Sequence, residues 1–95
     1  MTQEELNEVL RLHKQWLESN GNKGKRADLR RANLKDANLQ DADMRGANMQ
    51  GADMHRADMK DAKLQKAYLY RAHMQGADMR GADIHRADMK DEYLY

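Results

Sequence analysis

Methionine stands at every fifth position through the middle of the chain, at Met44, Met49, Met54 and Met59, and histidine falls near the series at His55, His73 and His85. Thioether sulfur and imidazole together suit soft and borderline metals, copper above all. The competing reading is that the methionines fill a core, as unbranched, polarizable side chains do. Other chemistry has little to work with. There is no cysteine, and hydroxyl nucleophiles of the serine and threonine kind stop at Thr2 and Ser19. Aspartate recurs at regular intervals instead of pairing in an apolar setting. That regularity suits bonding to nearby backbone N–H groups better than acid–base work. The expectation is a non-enzymatic chain with no cofactor and no bound metal.

A spacing of five fits neither regular element. On an α-helix five residues advance about 500°, so the centres would spiral over every side. On an uninterrupted strand they would fall on alternate faces. Yet the register never slips: Leu29, Leu34, Leu39, Met44, Met49, Met54, Met59, Leu64, Leu69, Met74, Met79, Ile84, Met89, Leu94. Alanine stands two places before each centre from Ala27 to Ala87, and Glu92 breaks that series. Between alanine and centre the residue is mostly Asp or Asn, replaced at Lys63, Tyr68, His73 and Tyr93. Alanine and centre can therefore point inward together while the residue between them points out. Two polar positions follow, so alternation fails once in every five. A chain that runs extended briefly and then turns a corner meets this pattern. Gly46, Gly51, Gly76 and Gly81 fall at the second place after a centre, where a tight turn favours positive φ. Side and corner, repeated, make a coil whose turns stack as parallel strands.

Ahead of the repeats, residues 2–20 read as an amphipathic helix. Thr2 and Glu5 fit a capping box. Leu6, Val9, Leu10, His13, Trp16 and Leu17 form one apolar stripe, and Asn20-Gly21 is a plausible stop with Gly in the left-handed position. His13 lies on the stripe and reads as a packed histidine, since no second ligand sits nearby. The division expected is a capping helix and hinge over 1–25 and a repeat region over 26–95.

The tandem A(D/N)LXX pattern, seen in "ADLRRANLKDANLQDADMRGANMQGADM", resembles the pentapeptide-repeat proteins over about residues 26–95. The resemblance implies an all-β solenoid, a right-handed quadrilateral parallel β-helix with four pentapeptides per coil and about three and a half coils. It also implies that centre and alanine face inside. The chain departs from the usual pattern in carrying Met at half of its centres, where members use Leu or Phe. Some members resemble DNA in size and charge and protect gyrase by binding it, so a topoisomerase-directed mimic, or a related toxin-immunity role, is the alternative function.

With twenty residues per coil, the outward charges sort by side. Asp41, Asp58, Asp61 and Asp78 face Lys60 and Arg80 on one wall; Arg45, Lys63, Lys66 and Arg86 face Asp43 and Asp83 on the next. The histidines fall on different sides or registers, so none converges with the sulfurs. A weak acidic wall beside a basic one, and a net charge of +1, argue against direct nucleic-acid binding. No stretch approaches a membrane span and the start is acidic and polar, which makes the cytosol the default location. The N-terminal helix is expected to cover the first coil. The opposite end, "DEYLY", would leave Met79, Ile84, Met89 and Leu94 bare unless tyrosines or a second subunit cover them. Tyr68, Tyr70, Met89, Tyr93, Leu94 and Tyr95 are therefore the candidate partner-binding residues, with a homodimer through the C-terminal coil as the expected assembly.

Overall fold

The computed structural model describes residues 1–90. Thr2 is extended and starts the helix: its hydroxyl accepts from Glu5 N–H at 3.1 Å, and Glu5 Oε1 accepts from Thr2 N–H at 2.8 Å. Each residue satisfies an end donor of the other. The helix α1 runs Gln3–Glu18, shorter than the 2–20 expected. Its stop differs from the expected one as well. Asn20 takes the left-handed position with φ +55°, and Gly21 follows at +88°. Gly21 N–H then reaches Trp16 O at 2.8 Å and Asn20 N–H reaches Leu17 O at 3.4 Å, the paired bonds of a Schellman ending. Asparagine tolerates this conformation through its short polar side chain, so glycine is not required there.

The chain doubles back tightly. Lys25 N–H donates to Leu12 O at 3.0 Å, so the hinge lies along the helix backbone. A Cβ at Gly24 would press on Leu12 O and come within 2.7 Å of Trp16 N. Only glycine fits there.

Beyond the hinge, the Asp/Asn position pairs in parallel with the residue twenty further along, from Asp28↔Asn48 to Tyr68↔Asp88. Each pairing is a single-residue bridge; no longer strand forms among the described residues. Three bonds tie one rung to the next: Leu29 N–H to Asn48 O at 2.7 Å, Arg31 N–H to Gln50 O at 2.9 Å, and Asn48 N–H to Ala27 O at 3.1 Å. Between bridges the chain turns. Ala32 N–H closes the turn on Leu29 O at 3.1 Å, and the same bond recurs at every corner up to Ala87 N–H and Ile84 O. The second residue after each centre has φ near +60°, whether it is glycine, as at Gly46 and Gly76, or Arg31, Asp61, Lys66 and Arg86. Positive φ at this place marks a type II-like corner.

The regular Asp/Asn has a structural cause. Its Oδ1 accepts from the N–H two residues on: Arg30 to Asp28 at 3.3 Å, Gln40 to Asn38 at 3.0 Å, His85 to Asp83 at 3.0 Å. The short acceptor holds the chain as it leaves the side and enters the corner.

Inside, the centres from Leu29 to Met74 are at most 2 % exposed, and the alanines from Ala47 to Ala72 are sealed with them. The methionines are core. Leu6 joins this cluster from α1, with Val9 and Leu10 packed against it. Removing a sealed side chain leaves a cavity, so Met59→Ala should cost about 2–5 kcal/mol in urea unfolding. Gly46→Ala has open space around the new methyl, its nearest neighbour being Trp16 at 3.9 Å, and should cost only the left-handed strain of about 1 kcal/mol. Gly24→Ala must displace backbone and should exceed Gly46→Ala clearly. Equal costs for the two glycine variants would show that the hinge does not clamp the helix.

Candidate functional site

The helix-covered end is built by side chains that supply backbone bonds, some of them in place of a missing rung. Ladder geometry leaves the first coil with N–H and C=O groups aimed outward along the axis, and unpaired groups of this kind are costly when buried. Gln3 answers for Asn38: its Oε1 accepts from Asn38 N–H at 2.9 Å and its Nε2 donates to Asn38 O at 2.9 Å. Arg26 Nε donates to Gly46 O at 2.7 Å. His13 does the most. It is fully buried, stacked on Trp16 at 5.4 Å; its Nδ1 accepts from Ala27 N–H at 2.9 Å and its Nε2 donates to Arg45 O at 2.7 Å. Those partners fix the neutral tautomer with the proton on Nε2. Burial holds the His13 imidazole below the usual histidine range, against the pull of the Arg45 carbonyl.

The expected partner-binding residues are distributed as follows. Tyr68 and Tyr70 share the side built on Leu69, with Tyr68 bridged to Asn48 and Asp88. Tyr68 is 41 % exposed and Tyr70 half-buried. Each ring carries a guanidinium: Arg26 lies 5.0 Å from the Tyr68 centroid and Arg71 lies 5.2 Å from that of Tyr70. Such pairs are modestly attractive at exposed sites. Arg26 carried no signal in the repeat pattern, because it sits one place before the first alanine. Met89 is half-buried on the same side; Tyr93, Leu94 and Tyr95 lie outside the described residues.

Outward charges are largely matched within the wall. Asp28, Asp43 and Asp78 each receive a forked pair of bonds from the arginine two residues on. The Arg30 guanidinium and backbone N–H bring Asp28 down to about 2, and Arg80 does the same for Asp78. Arg56 forks to Asp36, its counterpart one coil earlier, at 2.8 and 3.1 Å.

One pairing departs from the sequence expectation. No histidine meets a sulfur, since Met54 and Met74 are sealed in the core. His55 and His73, however, converge on each other, their rings 5.9 Å apart. The signal is arithmetic. Residue 73 is one coil minus two residues from 55, which brings both onto the same wall. His55 Nδ1 also donates to Asp53 Oδ1. Among the described residues no three His, Cys, Asp or Glu side chains form a ready metal cluster. One open depression, lined by Asp28, Arg30, Arg31 and Gln50, is polar, and another, against Trp16, Leu17 and Gly46, is mostly apolar. No helix among the described residues is long and apolar enough to cross a membrane.

Parallel pairing at a constant offset, a corner every five residues and one helix laid over the shaft define a helix-capped β-solenoid. The chain belongs to the pentapeptide-repeat family: the model described as "Pentapeptide repeats (8 copies)" matches residues 25–61 and 52–91. It is similar to the crystal structure of HetL, a pentapeptide repeat protein involved in heterocyst differentiation regulation from Nostoc sp. strain PCC 7120. The two share 33% identity with a TM-score of 0.69, over 70% of this chain and 32% of HetL. It is similar also to the pentapeptide repeat protein Rfr23 of Cyanothece 51142, at 28% identity and TM-score 0.69, over 72% of this chain and 47% of Rfr23. The chain thus spans less than half the length of either. Among curated proteins none matches it.

His13 makes the capped end pH-sensitive. Its folded-state value lies below the unfolded reference of about 6.5, so its contribution is complete above that pH. As pH falls below 6.5 the unfolded chain takes up the proton first. Stability then declines by about 1.4 kcal/mol per pH unit until the folded-state value is reached. Urea midpoints between pH 7.5 and 5.5 should fall more steeply for the wild type than for His13→Gln; parallel curves would remove His13 from this role.

Proposed function

We propose that this chain is a non-enzymatic interaction module of the cytosol, a right-handed four-sided solenoid of about three and a half coils, closed at one end by α1 and joined at the other to a second copy of itself. The carrying observation is the gradient of exposure along the shaft. Ile84 is 41 % exposed and Met79 and Met89 are half-buried, whereas the centres from Leu29 to Met74 are sealed. Partly exposed apolar centres of this kind favour contact with another chain. A two-fold arrangement covers both copies in one contact, with Met89, Tyr93, Leu94 and Tyr95 at the seam and Tyr68 and Tyr70 on the adjoining wall.

The wall chemistry speaks against the alternative, a DNA-mimicking binder of a topoisomerase such as gyrase. A mimic needs a long run of unmatched negative charge. Here Asp78 is held by Arg80 at 2.6 Å and Asp58 faces Lys60 at 3.7 Å. Purified protein should leave gyrase supercoiling unaffected.

Light scattering tests the self-association. The wild-type chain should show twice its 11.0 kDa mass, and Ile84→Glu combined with Met89→Glu should show a single chain of unchanged circular dichroism. A monomeric wild type, or a dimer that survives both charges, would overturn the proposal.

A further inference from the structure

The matching of charge stops at one wall of the shaft. Corner residues one coil apart stack in columns. Two columns carry acid: Asp36, Arg56 and Gly76, then Asp41, Asp61 and Gly81. The other two read cation, glycine, cation: Arg31, Gly51 and Arg71, and, starting from the hinge, Arg26, Gly46 and Lys66. These two edge the wall built on Leu29, Met49 and Leu69, and no other wall has such a column on both sides. Where Arg56 follows Asp36, the two fork together. Where glycine follows the arginine, no carboxylate is supplied. Among the described residues Arg26, Arg31, Lys66 and Arg71 make no ion pair.

Glycine also leaves the arginine room to lie along its corner. A Cβ at Gly51 would stand 3.4 Å from Arg31 Cγ. Arg26 runs past Gly46, whose carbonyl accepts from its Nε, and its guanidinium ends over the Tyr68 ring. On the opposite edge the Arg71 guanidinium lies over Tyr70. Each tyrosine thus holds a cation of its own edge, and the neutral Asn48 and Gln50 fill the rung below. The wall's own carboxylates stand at its ends, Asp28 held by Arg30 and Asp88 one rung beyond Tyr68.

We propose that this wall is the docking surface for an extended acidic peptide segment of a partner protein, its carboxylates taken by Arg26, Arg31, Lys66 and Arg71 and its remaining side chains laid over Tyr68 and Tyr70. The inference rests on the reading of the chain as an interaction module and not on its self-association. Guanidinium forks match carboxylates in shape as well as charge, and arginine beside tyrosine is the usual composition of a contact anchor. Rungs about 4.8 Å apart set Arg31 and Arg71 roughly 10 Å from each other, a distance that three residues of extended chain span. A nucleic acid fits less well. Three rungs reach few phosphates, and the guanidinium over each tyrosine takes a face on which a base would stack.

Fluorescence anisotropy with the full chain tests the surface. The probes are a labelled peptide of about ten residues with glutamate at every third place among serine and leucine, the same peptide with lysine for glutamate, and a single-stranded thymine oligonucleotide of about ten nucleotides. The acidic peptide alone should bind, and more weakly as salt rises. Arg31→Gln combined with Arg71→Gln should weaken it about tenfold or more, and Lys66→Gln about threefold. Arg56→Gln combined with Lys60→Gln removes the same charge elsewhere on the shaft and should leave the affinity within about twofold. Thermal melts check that each variant folds. Light scattering on the same samples reads self-association separately: a monomer that binds the peptide upholds this surface, and a dimer that does not bind it overturns this surface alone. Equal weakening by the two double variants, or tighter binding of the oligonucleotide than of the acidic peptide, would also overturn it.

Discussion

The constraint beneath everything else is the corner. Every fifth residue must turn the chain with positive φ, and the next rung must receive it in register. Twelve successive corners do this, from Arg31 to Arg86, with φ between 57° and 75°. The eight corners without glycine all carry charged residues, and each accepts left-handed strain that glycine would avoid. The strain is tolerable because every corner is closed by the alanine N–H, and all but the three after Lys63, Tyr68 and His73 are tied again by an Asx bond on entry. Only then can the centres meet in a shaft too narrow for water. The packing is a consequence of the corners rather than their cause.

The two ends of the shaft differ because their edge groups differ. At the helix end, Gln3 at Asn38 and His13 at Arg45 take bonds that an earlier coil would have made, His13 also takes the Ala27 N–H that elsewhere closes a corner, and Arg26 adds a bond at Gly46 O. The match is specific: Gln3 both gives and takes at Asn38, while His13 gives at Arg45 and takes at Ala27. No such substitutes appear at the other end among the described residues, and burial falls there in step. Capping here is a matter of replacing hydrogen bonds as much as of covering hydrophobic surface.

Much of this architecture is legible in the residues. The unbroken spacing of five, the inward alanine and the polar pair after each centre suffice for a side-and-corner chain. Glycine at four second positions points to the turn. What spacing alone does not disclose is that Arg31, Asp61 and Lys66 adopt the same φ as those glycines, since propensity argues against it and tertiary register overrides it. The sequence points to Gly21 as the left-handed residue after the helix, whereas Asn20 takes that place and Gly21 follows it. His13 reads as a packed histidine from its place on the stripe, but its two backbone partners lie in distant sequence and carry no local mark. The meeting of His55 with His73 follows from a coil of twenty, since the two lie eighteen apart on one wall, but the repeat pattern itself does not mark it. The surface use of Tyr68, Tyr70 and Met89 rests on composition, and composition does not reveal that Arg26 lies on one of the rings.

A core filled by thioethers has a chemical consequence beyond packing. Sulfoxide formation requires an oxidant to reach the sulfur, and it turns an apolar side chain polar. Met44, Met49, Met54 and Met59 have no exposed surface, while Met79 and Met89 are open to solvent. Damage by peroxide would therefore reach Met79 and Met89 before the sealed sulfurs, and each oxidised side chain would loosen the packing of the rung beneath it.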